Sequence, residues 1–180
     1  LAGSLQPPTA VFFDNFENGV NGWTTGGTLN TWAQVTNLSY SPTHSWTDSP
    51  GVVYPSNMNA WLKSPNLNLS GKTGISVSGY YTYALEAGYD YAYLEWSTDG
   101  GTTWSPTYLD RFNGVVQSWQ HSAVNAAMLD NQANVALRVR VTSDSGVVAD
   151  GIYVDDFAVN YTPIVCEPPT PTAVQLSSVS

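Results

Sequence analysis

The chain has 180 residues and carries fourteen carboxylates against five lysines and arginines. The spacing of those acids creates two groups that could do chemistry. The first is spread along the whole sequence. Asp14, Asn15 and Glu17 fall in Asp14-Asn15-Phe16-Glu17, Asp48 falls in Thr47-Asp48-Ser49-Pro50, and Asp155-Asp156 closes the run Asp150-Gly151-Ile152-Tyr153-Val154. Calcium takes roughly six to eight oxygen ligands from carboxylates, amides, hydroxyls and carbonyls. Carboxylates gathered without a cation repel one another and rise in pKa. Two readings therefore stand: a calcium site, or a set of solvated turn acids. Glu17 and Asp156 meet only if the first and last strands are neighbours. The second group is Glu86, Asp90, Glu95, Asp144 and Asp150. Two carboxylates across a cleft could act as general acid and base on a glycoside. However, Asp90 and Glu95 have opposite parity, so a regular strand sends them to opposite faces. Asp90 then either joins Asp150 at a second cation or hydrogen-bonds among tyrosines.

Other catalytic signatures are missing from the sequence. His44 and His121 belong to no His-Glu-x-x-His pair. There is no Gly-x-Ser-x-Gly elbow, phosphate loop or dinucleotide fingerprint. Cys166 is the single cysteine, which excludes an intrachain disulfide and a multi-cysteine zinc site. The expectation is a chain without catalytic residues. The aromatic residues are the other candidates for chemistry. Seven Trp and eleven Tyr are present, densest at Tyr80, Tyr81, Tyr83, Tyr89, Tyr91 and Tyr93. Adjacent Tyr80 and Tyr81 cannot both face one core, so at least one ring points away from it. Such rings either complete the core and its rim or form a platform on which sugars stack.

These side chains must be positioned by strands. Period-2 alternation runs through Ile75–Tyr83, Tyr89–Trp96, Val135–Val141 and Ile152–Phe157. The last run places Val154 and Asp156 on one face, with Asp155 and Phe157 on the other. Turn signals separate the runs: Asn18-Gly19, Asn21-Gly22, Gly26-Gly27 and Asn113-Gly114. Ser97-Thr98-Asp99-Gly100-Gly101-Thr102-Thr103-Trp104 has the Asp-box pattern, a hairpin turn that can fold its Trp back on the sheet. A short helix is expected only over residues 124–132. Residues 1–10 and 163–180 are rich in Pro, Thr and Ser and read as linkers, with 11–162 as one domain and a next module beginning near 173–177. The fold class is all-β, a two-sheet antiparallel jelly-roll sandwich. Charged residues form 11% of the chain and the net charge is -9. That balance argues against nucleic acid as a partner, and no apolar run is long enough to insert in a membrane. The start at Leu1 reads as a piece cut from a longer protein. The composition, rich in Ser, Thr, Asn and Gly, suits a secreted or cell-surface location.

The order of these motifs resembles one family. Asp14-Asn15-Phe16-Glu17-Asn18-Gly19 with Trp23 comes first, then Ser45-Trp46-Thr47-Asp48-Ser49-Pro50 and Leu67-Asn68-Leu69-Ser70-Gly71. Gly88-Tyr89-Asp90-Tyr91, the Asp-box and Asp150–Phe157 follow. The series resembles the MAM-like jelly-roll domain of secreted bacterial peptidases, such as the immune inhibitor A metalloproteases. The resemblance implies a non-catalytic accessory domain that supports a catalytic domain of the same polypeptide or binds substrate. It also implies a structural calcium held by Glu17, Asp48 and Asp156, with Asp14 or Asn15 completing the site. Asn15 departs from the family, where an acid is common, and the cysteine pairs of true MAM domains are absent. Carbohydrate-binding and protein-binding adhesion modules share this fold and remain alternatives.

Overall fold

A computed structural model describes residues 3–166. The expected start of a next module near 173–177 lies outside the described residues. The strands are β1 (Gly3–Leu5), β2 (Thr9–Asp14), β3 (Thr24–Thr28), β4 (Ala33–Val35), β5 (Ser45–Thr47), β6 (Asn59–Lys63) and β7 (Ser76–Ala84). They continue as β8 (Tyr91–Ser97), β9 (Tyr108–Phe112), β10 (Val115–Asn125), β11 (Ala136–Thr142), β12 (Gly151–Tyr161) and β13 (Ile164–Cys166). One sheet has the order β10-β7-β12-β5-β4, with β2 also paired to β12; the other has the order β3-β6-β11-β8-β9. The strand pairings within both sheets are antiparallel. The two sheets enclose one apolar core, as the sequence pattern predicts for a jelly-roll sandwich. Val77, Tyr81, Ile152 and Val154 enter it from the first sheet, and Leu62, Leu94, Val139 and Val141 from the second. Among the described residues no helix is long and apolar enough to cross a membrane.

Three details differ from the sequence pattern. β1 pairs with β13, so segments read as linker ends form a two-stranded ribbon beside the sandwich. The expected helix over 124–132 is replaced by the end of β10 and a 3-10 turn, Ala127–Leu129. Side-chain competition explains this. Asn125 Oδ1 accepts the Ala127 N–H at 2.9 Å, and both Asp130 oxygens are taken by the Gly74 and Ile75 amides at 3.0 Å. Finally, the strict alternation expected through 152–157 breaks at Asp156. Ile152 and Val154 point inward, and then Phe157 and Val159 do so. The parity changes at a β-bulge between Asp155 and Ala158, where Asp156 adopts φ 46. At this point β12 exchanges its partner β5 for β2.

The junction of β2 with β12 is fixed by one acid. Asp14 is buried, and its Oδ1 accepts the Phe16 N–H at 2.8 Å and the Asn21 amide at 3.2 Å. Its Oδ2 accepts the Trp23 indole N–H at 3.0 Å. That indole meets Phe16 and Phe157 edge-on, with centroids 5.3 and 5.2 Å away. Asp14→Ala leaves two buried donors unpaired, so it is expected to cost roughly 2–4 kcal/mol in urea unfolding, while Asn15→Ala costs under about 1 kcal/mol.

Candidate functional site

The bulge in β12 aims two carboxylates at one loop. Asp155 is buried, and its Oδ2 accepts the backbone N–H groups of Tyr40 and Ser41 at 2.7 and 3.0 Å. Its Oδ1 accepts the Asp156 N–H at 2.7 Å. Asp156 Oδ1 accepts the Ser41 hydroxyl at 2.8 Å. From the other side, Glu17 Oε1 accepts the His44 N–H at 2.6 Å, and Oε2 accepts the Thr43 hydroxyl at 3.1 Å. The His44 ring lies 3.1 Å from the same oxygen. The amide N–H groups of His44 and then Thr43 pull the Glu17 carboxyl down to about 2. Glu17 and Asp156, read from sequence as partners, thus grip the same segment, 41–44. Asn15 stands beside them, its Oδ1 3.4 Å from the Glu17 amide nitrogen.

Asp14 and Asp48 have other surroundings. The Asp14 oxygens are occupied by Trp23, Phe16 and Asn21. Asp48 follows β5, whereas His44 precedes it, and the Asp48 Oδ1 accepts the Ile152 N–H at 2.7 Å. Its Oδ2 is buried without a hydrogen-bond partner among the described residues. Gly151, at φ 78, makes room for this carboxyl, since a Cβ there would overlap it. Glu86, Asp90 and Asp144 come within 4.8 Å of one another. Tyr54 donates to Asp90 at 2.6 Å, and the Asp144 amide does so at 2.9 Å. Asp90 is therefore hydrogen-bonded to a tyrosine, one of the two alternatives its position allowed. Glu95, on β8, instead joins Arg138 and Arg140.

The gripped loop delivers an aromatic ring to the outer face of the first sheet. Tyr40 stacks on Tyr80, with centroids 3.5 Å apart and planes 11° from parallel. Trp119 stands edge-on to Tyr40 at 6.2 Å, and His121 lies 4.9 Å from Tyr80. The strand register explains the grouping: Tyr80 of β7 lies opposite His121 on one side and Asp155 on the other. Tyr81, one residue on, is buried in the core. Two residues further along β7, Thr82 lines a cleft of about 210 Å³ with Leu38, Gln117, Asp150 and Tyr153. Ring faces, hydroxyls, the Gln117 amide and the Asp150 carboxylate thus share one surface, which suits an uncharged polyhydroxylated ligand. The pairing of Tyr40 with Tyr80 was not legible beforehand, because Tyr40 lies outside the dense tyrosine run.

No family model matches this chain, and no curated protein does. Solved structures share its fold. A xylan-binding domain of carbohydrate-binding family 22 is 16% identical, with a TM-score of 0.58 over 84% of this chain and 94% of that one. The K3 cleaved adhesin domain of Lys-gingipain from Porphyromonas gingivalis is 15% identical, with a TM-score of 0.61 over 84% and 98%. The module TmCBM61, solved with β-1,4-galactotriose, is 13% identical, with a TM-score of 0.53 over 81% and 92%. These likenesses establish a β-sandwich of the kind used by carbohydrate-binding and adhesin domains.

Burial pushes the Asp48 carboxyl up to about 7, against the opposing Ile152 N–H, and burial likewise raises Asp155 to about 6. A raised folded-state pKa contributes stability below the unfolded value, near 3.8, that is lost as pH rises through the folded value. In EDTA, stability should therefore fall between about pH 4 and 7. Asp48→Asn is expected to remove the larger part of that slope, on the order of 2–4 kcal/mol, leaving the part due to Asp155. Urea unfolding at several pH values measures it, and an unchanged slope would contradict the assignment to Asp48.

Proposed function

We propose that this chain is a non-catalytic accessory module of a secreted or cell-surface bacterial multidomain protein, and that it binds neutral β-linked glycans along the outer face of the first sheet. The observation that carries this reading is the Tyr40–Tyr80 stack with Trp119 and His121, continuous with the cleft at Thr82 and Gln117. Tyr40 is 44% exposed although its backbone is anchored, so its ring costs little to hold ready. A pyranose can lay its C–H groups on that ring while the cleft supplies hydroxyl, amide and carboxylate partners. The likeness to glycan-binding modules supports the choice of ligand class. A catalytic domain of the same polypeptide is its expected partner, and the assignment of that domain to a peptidase rests on the motif order alone. A second reading, a protein-binding adhesion module, is favoured by the likeness to the Lys-gingipain adhesin domain.

Calcium belongs to the same proposal. Glu17, Asp156, Thr43 and Ser41 offer oxygen donors only, the set that a hard cation prefers. Asp14 is spoken for by Trp23, and Asp48 sits beyond β5, so the proposed ligands centre on Glu17 and Asp156. The ion would neutralise two carboxylates while tying 41–44 to β12 and to the loop after β2.

Affinity electrophoresis tests the ligand class. Retardation by soluble xylan or galactan is expected, with Tyr80→Ala weakening it about tenfold, the equivalent of one lost stacking contact. Unretarded wild-type protein on both polymers would overturn the glycan reading in favour of the adhesion module. For the ion, the melting temperature should rise by several degrees between EDTA and millimolar calcium, by linkage to the folded state. Asp156→Ala should lose that rise, and a rise that persists would contradict the site.

A further inference from the structure

The outer face of the second sheet is chemically unlike the rest of the molecule. The chain has five basic residues, and four of them, Lys63, Arg111, Arg138 and Arg140, stand on β6, β9 and β11. The alternation of burial places all four on the side away from the core. Register then aligns them into two rows. In one row Gly26 lies opposite Trp61, Trp61 opposite Arg140, Arg140 opposite Tyr93, and Tyr93 opposite Arg111. In the other, Lys63 lies opposite Arg138, Arg138 opposite Glu95, and Glu95 opposite Tyr108. Glu95 is the one acid in these rows, so the face is positive on a chain whose net charge is -9.

The rows are built rather than merely solvated. Arg140 sits 5.0 Å from the Tyr93 ring centroid, and Arg111 lies 5.1 Å from Tyr91 and 5.8 Å from Tyr108. The Asp-box supplies another ring. Asp99 accepts the Thr103 N–H and hydroxyl and the Ser97 hydroxyl, which brings Trp104 to 4.0 Å from the Arg138 guanidinium carbon. Glu95 fixes both arginines, accepting Arg138 Nε at 2.6 Å and Arg140 Nη2 at 2.6 Å. Among the described residues, no acceptor takes the two terminal nitrogens of Arg138. Arg138 borders a depression of about 330 Å³ lined also by Gly27, Thr28, Asn59, Trp61 and Arg140. Gly26 lets the Trp61 indole lie against β3, because a Cβ there would collide with the ring.

We infer that this face is a second binding surface, for an acidic polysaccharide bearing uronate groups. Three features select that ligand. Trp61 lying against the glycine edge offers a flat ring for a pyranose, and Thr28 and Asn59 offer partners for its hydroxyls. The terminal nitrogens of Arg138 match a carboxylate in a two-pronged geometry, held in place by Glu95 and Trp104. The row from Trp61 to Arg111 crosses three strand spacings, about 14 Å, which accommodates several sugar units. Elsewhere the negative chain repels a polyanion, so the ligand is confined to these rows. The acids Glu86 and Asp144 lie beyond the Thr142–Tyr91 pair and bound the surface at that end.

This surface is independent of the Tyr40–Tyr80 face, and its test separates the two. The probes are polygalacturonate and its methyl-esterified form, used in affinity electrophoresis of the full chain. Retardation by polygalacturonate is expected, with much less by the ester. Arg138→Gln should weaken it about tenfold, the scale of one charge-assisted pair, while Tyr80→Ala leaves it unchanged. If Arg138→Gln lowers the melting temperature, Arg111→Gln at the exposed end of the row serves in its place and should weaken retardation several-fold. No retardation by polygalacturonate, equal retardation by the ester, or full retardation of a folded arginine variant would each overturn the inference. Loss through Tyr80→Ala would place the acidic glycan on the first sheet and overturn it as well.

Discussion

Three carboxylates hold the 40–44 segment, two of them by its backbone, and the surface chemistry of the first sheet depends on that grip. Asp155 takes the Tyr40 and Ser41 amides, Asp156 the Ser41 hydroxyl, and Glu17 the His44 amide. Amide donors to an ionised acid make strong, directional bonds, so a loop of irregular backbone is fixed in place. The ring of Tyr40 is then carried to Tyr80 by a segment that cannot easily withdraw. The bulge at Asp156 makes this possible, because it turns consecutive acids of one strand to a loop while restoring Phe157 and Val159 to the core.

The sandwich thus presents two unlike outer faces from one core. The first carries tyrosine, tryptophan and histidine beside a cleft lined by hydroxyl, amide and carboxylate groups. The second concentrates the cations, its three arginines each seated on an aromatic ring and two of them also held by Glu95. Guanidinium groups packed this way lose little further freedom on binding, and their charge is focused by a low-dielectric support. The proposed ligands differ accordingly, neutral glycan on one sheet and acidic glycan on the other, which would let one module bridge two polymers of a mixed matrix.

Much of the fold was legible in the sequence because alternation is a strong local signal. The runs through Ile75–Tyr83 and Val135–Val141 map onto β7 and β11, and the opposed parity of Tyr80 and Tyr81 sends one ring out and one in. The helix expected over 124–132 was lost to Asn125 and Asp130, whose side chains compete for backbone amides. The bulge at Asp156 was illegible, since an extra residue in a strand leaves no mark in composition. Of the expected site, the contact of Glu17 and Asp156 with one common loop follows from the pairing of β2 with β12, the neighbouring of first and last strands on which their meeting was conditioned. Asp14 could not be assigned that way, because its acceptors are spent on Phe16, Asn21 and Trp23, in the segment that follows β2. The basic rows were not legible because Arg140 gains Trp61 and Tyr93 as neighbours, and Arg138 gains Lys63 and Glu95, only through pairing across distant strands.

The central claim is that the anchored Tyr40 and its neighbours on the first sheet form the neutral-glycan surface. Amide chemical-shift mapping during titration with xylohexaose and with β-1,4-galactotriose addresses it residue by residue. The account predicts saturable shifts with at least one of the two sugars, confined to Tyr40, Tyr80, Thr82, Gln117, Trp119 and His121, with the Trp61 and Arg140 signals unmoved. Shifts centred on the second sheet, or none with either sugar, would contradict it.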